Sequence, residues 1–254
     1  MTALITALLR QQTQWLEDPD WSLAHFTFAA DMTTLRSACH FVCSDGHIVA
    51  RYMALPFAAI AFYGHTPEML HRLTDRVVSS DEPFYMLLNE RQARLAEQTF
   101  IIEEITPEWQ MLFEADPASL EAGNAIPLTA DDLPAIHTLA EQAGLTALEN
   151  NPLRLGPAFG VWDDSNQTLV GVGTTRLSLP GWAEIGNIAT HPDHRRRGYG
   201  RQVVAALVQA HLDAGRRVFL MVYQTNTAAI QLYESMGFAR VRPMFLLRCR
   251  LRQT

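Results

Sequence analysis

The segment His194-Arg195-Arg196-Arg197-Gly198-Tyr199-Gly200 combines residue types that suit an anion-binding site. Its glycines let the backbone come close to a ligand and adopt unusual dihedral angles. An amphipathic helix is predicted to follow, and the free N–H groups of its first turn carry partial positive charge. Arginine side chains add charge-assisted hydrogen bonds. The spacing therefore predicts a site for an anion such as a pyrophosphate.

Other anion-binding loops fit this segment less well. It lacks the Gly-Lys-Ser/Thr sequence of a P-loop. It also lacks the third glycine of a dinucleotide-binding fingerprint, and no acidic residue follows a further strand about 20 positions on. A plain alternative stays open at this point, namely a solvated run of arginines at the beginning of a helix.

The charge distribution favours an anionic partner near the end of the chain. The 254 residues carry a formal net charge of −7, and every basic residue is an arginine. After His194 the acidic residues are only Asp213 and Glu234. The arginines there are Arg195, Arg196, Arg197, Arg201, Arg216, Arg217, Arg240, Arg242, Arg248, Arg250 and Arg252. The partner of this basic end could be a nucleic acid, a phosphorylated cofactor or the protein's own acidic residues.

The composition is typical of a packed globular protein, with 48% apolar and 19% charged residues. No run approaches the roughly 20 apolar residues that a membrane-spanning helix needs. The first residues lack the basic region and the cleavage pattern of a signal peptide. We therefore expect no membrane partner and a cytoplasmic location.

The three cysteines are Cys39, Cys43 and Cys249, an odd and sparse count that argues against a disulfide framework. The stretch from Cys39 to Cys43, with His47 close by, invites a metal-binding interpretation. Its spacing matches no standard zinc pattern, however, and its apolar residues predict a β-strand. We expect buried structural thiols and no metal site.

Periodicity predicts the elements that position the arginine–glycine loop. Three strands precede the loop, and the first two are joined by a hairpin turn at residues 163–166. An amphipathic helix follows the loop, and a strand, a short helix and a final strand come after it. These predicted elements span residues 159–162, 169–177, 182–190, 199–212, 218–223, 227–236 and 245–251.

The first half mixes helices and strands less legibly, and a small, polar segment over residues 116–124 is the best candidate linker. After this linker come a short strand over 126–128 and a helix that begins near Thr129. Before it, helices are predicted over residues 2–16, 67–78 and 90–97, and strands over 39–43, 48–53, 58–63, 84–88 and 100–105.

Two motifs together resemble the acyl-CoA-binding signature of the GNAT acetyltransferase superfamily. The first is Arg195-x-x-Gly198-x-Gly200, preceded by Asn187-Ile188-Ala189-Thr190-His191-Pro192. The second runs from Asn226 through Tyr233 to Gly237-Phe238. The resemblance covers residues 126–248, with the elements in the right order. It implies an α+β, α/β sandwich-like fold in which a mixed, mostly antiparallel sheet is flanked by helices.

The resemblance also implies acetyl-CoA or a similar acyl-CoA as co-substrate, without a metal. The strand residues Ile188, Ala189 and Thr190 would pair with the pantetheine arm like an added β-strand, and would splay away from the strand over 219–223. Asn226 would contact the cofactor with its side chain, although a helix N-cap is its plain alternative. The pyrophosphate would be held by the backbone amides of Arg195, Arg196, Arg197, Gly198, Tyr199, Gly200 and Arg201.

Acyl transfer to an amine needs a neutral nucleophile, a donor to the oxyanion and a proton for the leaving thiolate. The resemblance implies that Glu184 is the base, with Asn187 and His191 as weaker substitutes. The N–H of Ile188 would polarise the thioester carbonyl, and Tyr233 would be the general acid. The plain alternatives are an outward-facing strand charge for Glu184 and a packed helix aromatic for Tyr233.

The expected function is the transfer of an acetyl or other short acyl group from acyl-CoA to a primary amine of a small acceptor, by direct attack in a ternary complex.

We divide the chain into an N-terminal α+β lobe over residues 1–120, on the acceptor side or a degenerate GNAT-like copy, and a GNAT catalytic domain over 125–254. The alternatives are a non-catalytic acyl-CoA sensor or interaction protein, and nucleic-acid binding, which the overall acidity disfavours. A homodimer stays open.

Overall fold

The computed structural model describes residues 18–145, 148–163 and 168–252. The helix predicted over 2–16 and the predicted turn residues 164–166 lie outside the described residues. The chain forms two compact units. Residues 18–108 and 242–252 belong to the first unit and Trp109–Val241 to the second. The predicted domain division near residues 120–125 stays a prediction.

The first unit is an α+β structure with strand order β1-β2-β3-β4-β11. Strands β3 and β4 pair in parallel, with a helix in the crossover between them, whereas the other three pairs are antiparallel. Its helices are α1 (Pro19–Ala24), α2 (Phe26–Met32), α3 (Pro67–Thr74) and α4 (Glu90–Thr99). Its strands are β1 (Cys39–Ser44), β2 (His47–Tyr52), β3 (Ala58–Tyr63), β4 (Phe84–Asn89) and parts of β5 (Ile101–Phe113) and β11 (Phe238–Arg250).

Local sequence explains how these elements begin and end. Asp45 and Gly46 both have positive φ, 48° and 76°, which suits the tight turn between β1 and β2. Helix α4 begins with a capping box, in which the Asn89 side chain accepts from the N–H of Gln92 and the Gln92 side chain accepts in return. The core of this unit consists of apolar residues from α3, β4 and β11, among them Leu70, Leu73, Phe84, Met86, Leu88 and Leu247.

The cysteines lie partly outside this core. Cys249 is fully buried, as expected, but Cys39 and Cys43 are only half-buried because β1 stands at the end of the strand order. The expectation of buried thiols was therefore wrong for these two residues. Among the described residues, no cluster of three or more His, Cys, Asp or Glu side chains could hold a metal ion. None of the described helices is long and apolar enough to cross a membrane.

The second unit contains the predicted elements around the arginine–glycine loop. Its strand order is β5-β10-β9-β8-β7-β6, and β9 and β10 pair in parallel within an otherwise mostly antiparallel arrangement. The predicted fold class, α+β with a mixed and mostly antiparallel sheet flanked by helices, is confirmed. The elements are β6 (Ile126–Pro127), α5 (Leu133–Ala143), β7 (Ala158–Trp162), β8 (Leu169–Leu179), β9 (Trp182–Thr190), α6 (Tyr199–Asp213), β10 (Arg217–Tyr223) and α7 (Thr227–Ser235).

Alternation along β9 decides which layer each side chain enters. Ile185 packs with residues of α6 and α7 in one core cluster. Ala189 packs with Ile136 and Leu139 of α5 in another cluster, on the other face. Glu184 and Gly186 are the neighbours of Ile185 along the strand, so they face the side of the sheet that carries α5.

Candidate active site

The parallel pairing of β9 with β10 stops before either strand ends. The paired residues run from Trp182 with Arg217 to Ile185 with Leu220. Strand β9 nevertheless continues to Thr190 and β10 to Tyr223. We call the separated ends, residues 186–190 and 221–223, the fork. Backbone groups on the inner edges of the fork are available to an extended ligand, which could pair with them like an additional strand.

A β-bulge shapes the β9 side of the fork. Gly186 lies opposite Thr174 and Ala189 opposite Val172, so β9 has one residue more than β8 between these pairs. Asn187 lies within this bulge and has a positive φ of 50°. Its Nδ2 donates to Thr174 Oγ1 over 2.9 Å. This hydrogen bond anchors the bulge and thereby orients the next peptide, which contains the N–H group of Ile188.

The arginine–glycine loop lies between β9 and α6, as predicted. Arg196 and Gly198 have φ values of 63° and 83°, in the left-handed region. A Cβ atom added at Gly198 would meet no atom within 4 Å, so the backbone here is open. No side chain caps α6 at Gly198, which leaves the N–H groups of its first turn available. Arg195, Arg196 and Arg197 are exposed and form no ion pair with any described residue.

Three elements converge at Gly200. A Cβ atom placed there would lie 3.7 Å from Thr190 Oγ1, 3.8 Å from Leu232 Cδ2 and 4.0 Å from Ile188 Cγ2. The end of β9, the first turn of α6 and helix α7 therefore meet at this point. Tyr199 packs its Cβ against β8 at Gly171. The structure thus brings the loop and the predicted strand residues together.

Two predicted cofactor contacts also have structural partners. The Arg201 side chain donates to Ser235 Oγ and so connects α6 to α7. Asn226 is the N-cap of α7, where its Oδ1 accepts from the N–H of Ala229 over 3.2 Å. The N-cap alternative is therefore observed. The Nδ2 group of Asn226 forms no hydrogen bond with a described residue, so it can still donate to a ligand.

Tyr233 lies on the inner face of α7. Its ring centroid is 5.8 Å from that of Phe238, and both belong to the cluster that contains Ile185. Burial raises the pKa of Tyr233 to about 12. Its hydroxyl forms no hydrogen bond with a described residue. Tyr233 is therefore a protonated phenol at neutral pH, as a general acid must be.

Glu184 is buried, with 1% of its surface exposed, which contradicts the alternative of an outward-facing strand charge. Its Oε1 atom lies 3.6 Å from Nη1 of Arg176 and accepts no hydrogen bond from the described residues. Burial raises the pKa of Glu184, and the Arg176 guanidinium offsets this rise only in part. Glu184 and Tyr233 lie on opposite faces of β9, since Tyr233 packs in the cluster that contains Ile185.

Arg176 and Gly186 were not among the predicted site residues. The stem of Arg176 lies over Gly186, where an added Cβ atom would be only 2.4 Å from Arg176 Cδ. A hairpin about Pro180-Gly181 aligns Leu177 with Glu184. That turn signal could have placed Arg176 near Glu184, but not directly over Gly186, because a register shift between Thr175 and Leu177 intervenes.

Comparisons with known proteins agree with this geometry. Residues 160–245 match the model of the family described as FR47-like protein. The chain is 33% identical over 84 residues to the uncharacterized N-acetyltransferase YobR of Bacillus subtilis, covering 33% of either chain. It is 42% identical over 57 residues to the [ribosomal protein bS18]-alanine N-acetyltransferase of Escherichia coli, covering 22% of this chain and 38% of that protein. The match thus spans little more than a third of these relatives' lengths.

The fold extends the likeness over most of the chain. A putative GNAT-family acetyltransferase of Novosphingobium aromaticivorans superposes with a TM-score of 0.72 at 20% identity, covering 91% of this chain and 99% of the other. The family model, the N-acetyltransferase relatives and the fold confirm the resemblance to GNAT acetyltransferases that the two motifs carry.

Proposed function

We propose that this protein transfers an acetyl or other short acyl group from acyl-CoA to a primary amine of a small acceptor. The observation that carries the proposal is the fork, which opens beside the uncapped beginning of α6. The first-turn amides and the loop glycines suit a pyrophosphate, and the fork suits an extended pantetheine arm. The names of the relatives as N-acetyltransferases support the same reaction.

In this proposal, the amides of Arg195, Arg196, Arg197, Gly198, Tyr199, Gly200 and Arg201 hold the pyrophosphate of acetyl-CoA. The fork residues Ile188, Ala189 and Thr190 pair with the pantetheine arm. Asn226 donates its free Nδ2 group to the cofactor. The fork lets side chains reach the thioester from both faces of the sheet, which explains how Glu184 and Tyr233 can serve one reaction from opposite faces.

The proposed reaction is direct attack in a ternary complex. Glu184 takes a proton from the acceptor ammonium through a water molecule, and its raised pKa makes it a stronger base than an exposed carboxylate. The amine nitrogen then bonds to the carbonyl carbon, whose developing oxyanion accepts from the N–H of Ile188. As the C–S bond breaks, Tyr233 protonates the departing thiolate, and the second proton lost by the amine nitrogen restores the Tyr233 phenol through solvent.

The test is calorimetric titration with acetyl-CoA, followed by a thiol-release screen against amines, amino acids and peptides. We expect binding at micromolar concentrations, weakened when Arg195, Arg196 and Arg197 are all replaced by Gln. Arg240→Gln, which removes an arginine paired with Glu234, is the control and should bind normally. Because every basic residue is arginine, no lysine ε-amine of the protein can contribute to the signal.

Two outcomes would count against the proposal in different ways. Absence of acetyl-CoA binding would refute it entirely. Binding without thiol release on any amine would instead favour the non-catalytic acyl-CoA sensor.

A further inference from the structure

Glu184 and Arg176 form an oppositely charged pair in which Arg176 is partly exposed and Glu184 is buried. Their closest atoms, Oε1 and Nη1, are 3.6 Å apart, too far for a hydrogen bond between them. Neither side chain forms a hydrogen bond with any other described residue. A buried carboxylate without such bonds is costly, and the five N–H donors of the guanidinium are likewise unused. The exposed guanidinium can therefore bind a ligand directly, and the buried carboxylate can reach the same ligand through a water molecule.

The pair stands at the base of the fork. Glu184 is one residue before the last paired position of β9, and Gly186 is the first residue of the fork. The Arg176 stem crosses Gly186, and its Nε atom lies 3.8 Å from where a Cβ atom would be. The N–H of Ile188 is only two residues further along β9, across the bulge at Asn187. A molecule bound to this pair is thus close to where the thioester carbonyl is proposed to lie.

The aliphatic stem of the Arg176 side chain is held against the sheet, whereas its guanidinium group is accessible. Its side chain is 40% exposed, whereas that of Glu184 is 2% exposed. The absence of a side chain at Gly186 creates the space for the stem, because a Cβ atom there would collide with it. The guanidinium is therefore held at one place on the sheet with donors available, and guanidinium donors match a carboxylate in a bidentate geometry.

We infer that the acceptor is a zwitterion of the amino-acid type, whose carboxylate binds Arg176 while its amine faces Glu184. The inference rests on the proposed function, since it assigns the amine to the base of that reaction. An amino acid carries an ammonium and a carboxylate on the same carbon, so its two charges complement the two adjacent protein charges. An amine without a carboxylate would leave the N–H donors of Arg176 without a hydrogen-bonding partner in the ligand and would bind more weakly.

The test compares amino acids with their amides, which keep the amine and the side chain but lack the carboxylate. Alanine and alaninamide, and phenylalanine and phenylalaninamide, are suitable pairs. Thiol release with acetyl-CoA gives kcat/KM for each acceptor, and calorimetry on the CoA-loaded protein gives its affinity. A charge-assisted hydrogen bond corresponds to at least about tenfold in affinity. Arg176→Gln should lower the ratio of acid to amide, in kcat/KM and in affinity, by that factor, since any effect of Arg176 on Glu184 is common to both acceptors.

Two further variants separate recognition from structural effects. Gly186→Ala should displace the Arg176 stem and reduce the preference for acids in the same direction. Arg154→Gln removes an arginine of nearly equal exposure, 39%, that is paired with Glu149 instead, and should leave the preference unchanged. Each variant is compared with the wild-type protein on the same acceptor, so differences in intrinsic reactivity between amines do not affect the comparison.

Several results would overturn the inference. If Arg176 only neutralises Glu184, then Arg176→Gln will reduce turnover of acids and amides equally and shift the pH profile of both. Wild-type protein that binds acids no better than amides would also refute it, whether or not thiol is released. Failure of the proposed function itself looks different, since the protein would then not bind acetyl-CoA, or would bind an amino acid and acetyl-CoA without releasing thiol.

Discussion

Three buried ionisable side chains in the second unit hold their protons differently because their surroundings differ. Tyr233 is shielded by apolar neighbours and its pKa rises to about 12, so it keeps its proton. Glu184 is more deeply buried, and Arg176 counteracts part of the effect of burial on its pKa. His211 is fully buried, and its pKa falls to about 4, chiefly because of burial and secondly because of Arg216. The first two suit proton transfer, and the third affects stability.

Substitution of the two proposed proton-transfer residues should separate chemistry from binding. Tyr233→Phe and Glu184→Gln should each lower kcat by about 100-fold or more, because general acid–base catalysis contributes on that order. The affinity for acetyl-CoA should stay nearly unchanged, since neither side chain is assigned to the pyrophosphate or the pantetheine arm. Steady-state kinetics and calorimetry measure the two effects. Tyr85→Phe, in the first unit, is the control. Weaker acetyl-CoA binding with normal turnover would contradict both assignments.

His211 should make the stability of the protein depend on pH. Thr175 Oγ1 donates to the carbonyl of Pro157, so it accepts from Nε2–H of His211, and Nδ1 is buried with no partner among the residues that the structure describes. Protonation of Nδ1 is therefore disfavoured in the folded state, whereas the unfolded chain takes up this proton near pH 6.5. The free energy of unfolding should fall by about 3 kcal/mol as the pH drops from 6.5 to 4.

Urea unfolding at several pH values measures this effect. His211→Leu removes the titrating group, so its stability should depend less on pH in that interval even though the bond to Thr175 is lost. His40→Leu, which removes an exposed histidine, should retain the wild-type slope. An unchanged slope in His211→Leu would show that other groups cause the acid sensitivity.

Elements bounded by turn residues could be predicted from the sequence, and those fixed by distant contacts could not. The strands Ala58–Tyr63 and Trp182–Thr190 have the predicted bounds, because proline and glycine lie close to the ends of their apolar runs. Helices α1 and α2 were missed because His25 interrupts them after a few residues. The loop before α6 has a local signature in its glycines. By contrast, the contact of Arg176 with Gly186 depends on a register shift in β8, which has no sequence signal.

The first turn of α6 yields a prediction at the level of this element. Alanine fits at position 200, since its Cβ atom would be 3.7 Å or more from its neighbours. Alanine also favours a helix over glycine by up to about 1 kcal/mol. Gly200→Ala should therefore keep or raise Tm, but its methyl group would occupy the proposed ligand side and weaken acetyl-CoA binding by about tenfold.

Gly215→Ala is the matched control for this substitution. Gly215 has a φ of 71° and no atom within 4 Å of its Cβ position. Alanine there should lower stability by about 1 kcal/mol through backbone strain and leave acetyl-CoA affinity unchanged. Thermal unfolding should show a lower Tm only for Gly215→Ala, and calorimetry should show weaker acetyl-CoA binding only for Gly200→Ala. Normal affinity in Gly200→Ala would argue against a ligand at this turn.

At the scale of the whole molecule, the first unit is discontinuous in sequence. The chain leaves it within β5, after Glu108, and returns within β11, at Arg242. The returning residues pair with β4 from Met244 to Cys249 and supply Leu247, Cys249 and Leu251 to its core. The sequence predicted a strand near the end of the chain, but its pairing with the first unit could not be foreseen because about 160 residues separate the partners.

A chain that ends at Val241 should lose the first unit selectively. Strand β4 would lack its antiparallel partner, and the apolar core of this unit would lose three buried side chains. Hydrogen exchange at the amides of β4 should become fast, while α6 and β9 in the second unit stay protected. Leu247→Ala, which keeps the backbone pairs, should have a smaller effect. Continued protection of β4 in the shortened chain would contradict this prediction.

The divided first unit also has a consequence for synthesis on the ribosome. Residues 18–108 emerge before the second unit but cannot complete their sheet, because the part of β11 that pairs with β4 is translated only after all 133 residues from Trp109 to Val241. The second unit is continuous, so it can fold while the earlier segment still lacks its last strand. Nascent chains of this protein should therefore acquire their structure in the reverse of the usual order, in which the first unit made is the first to fold.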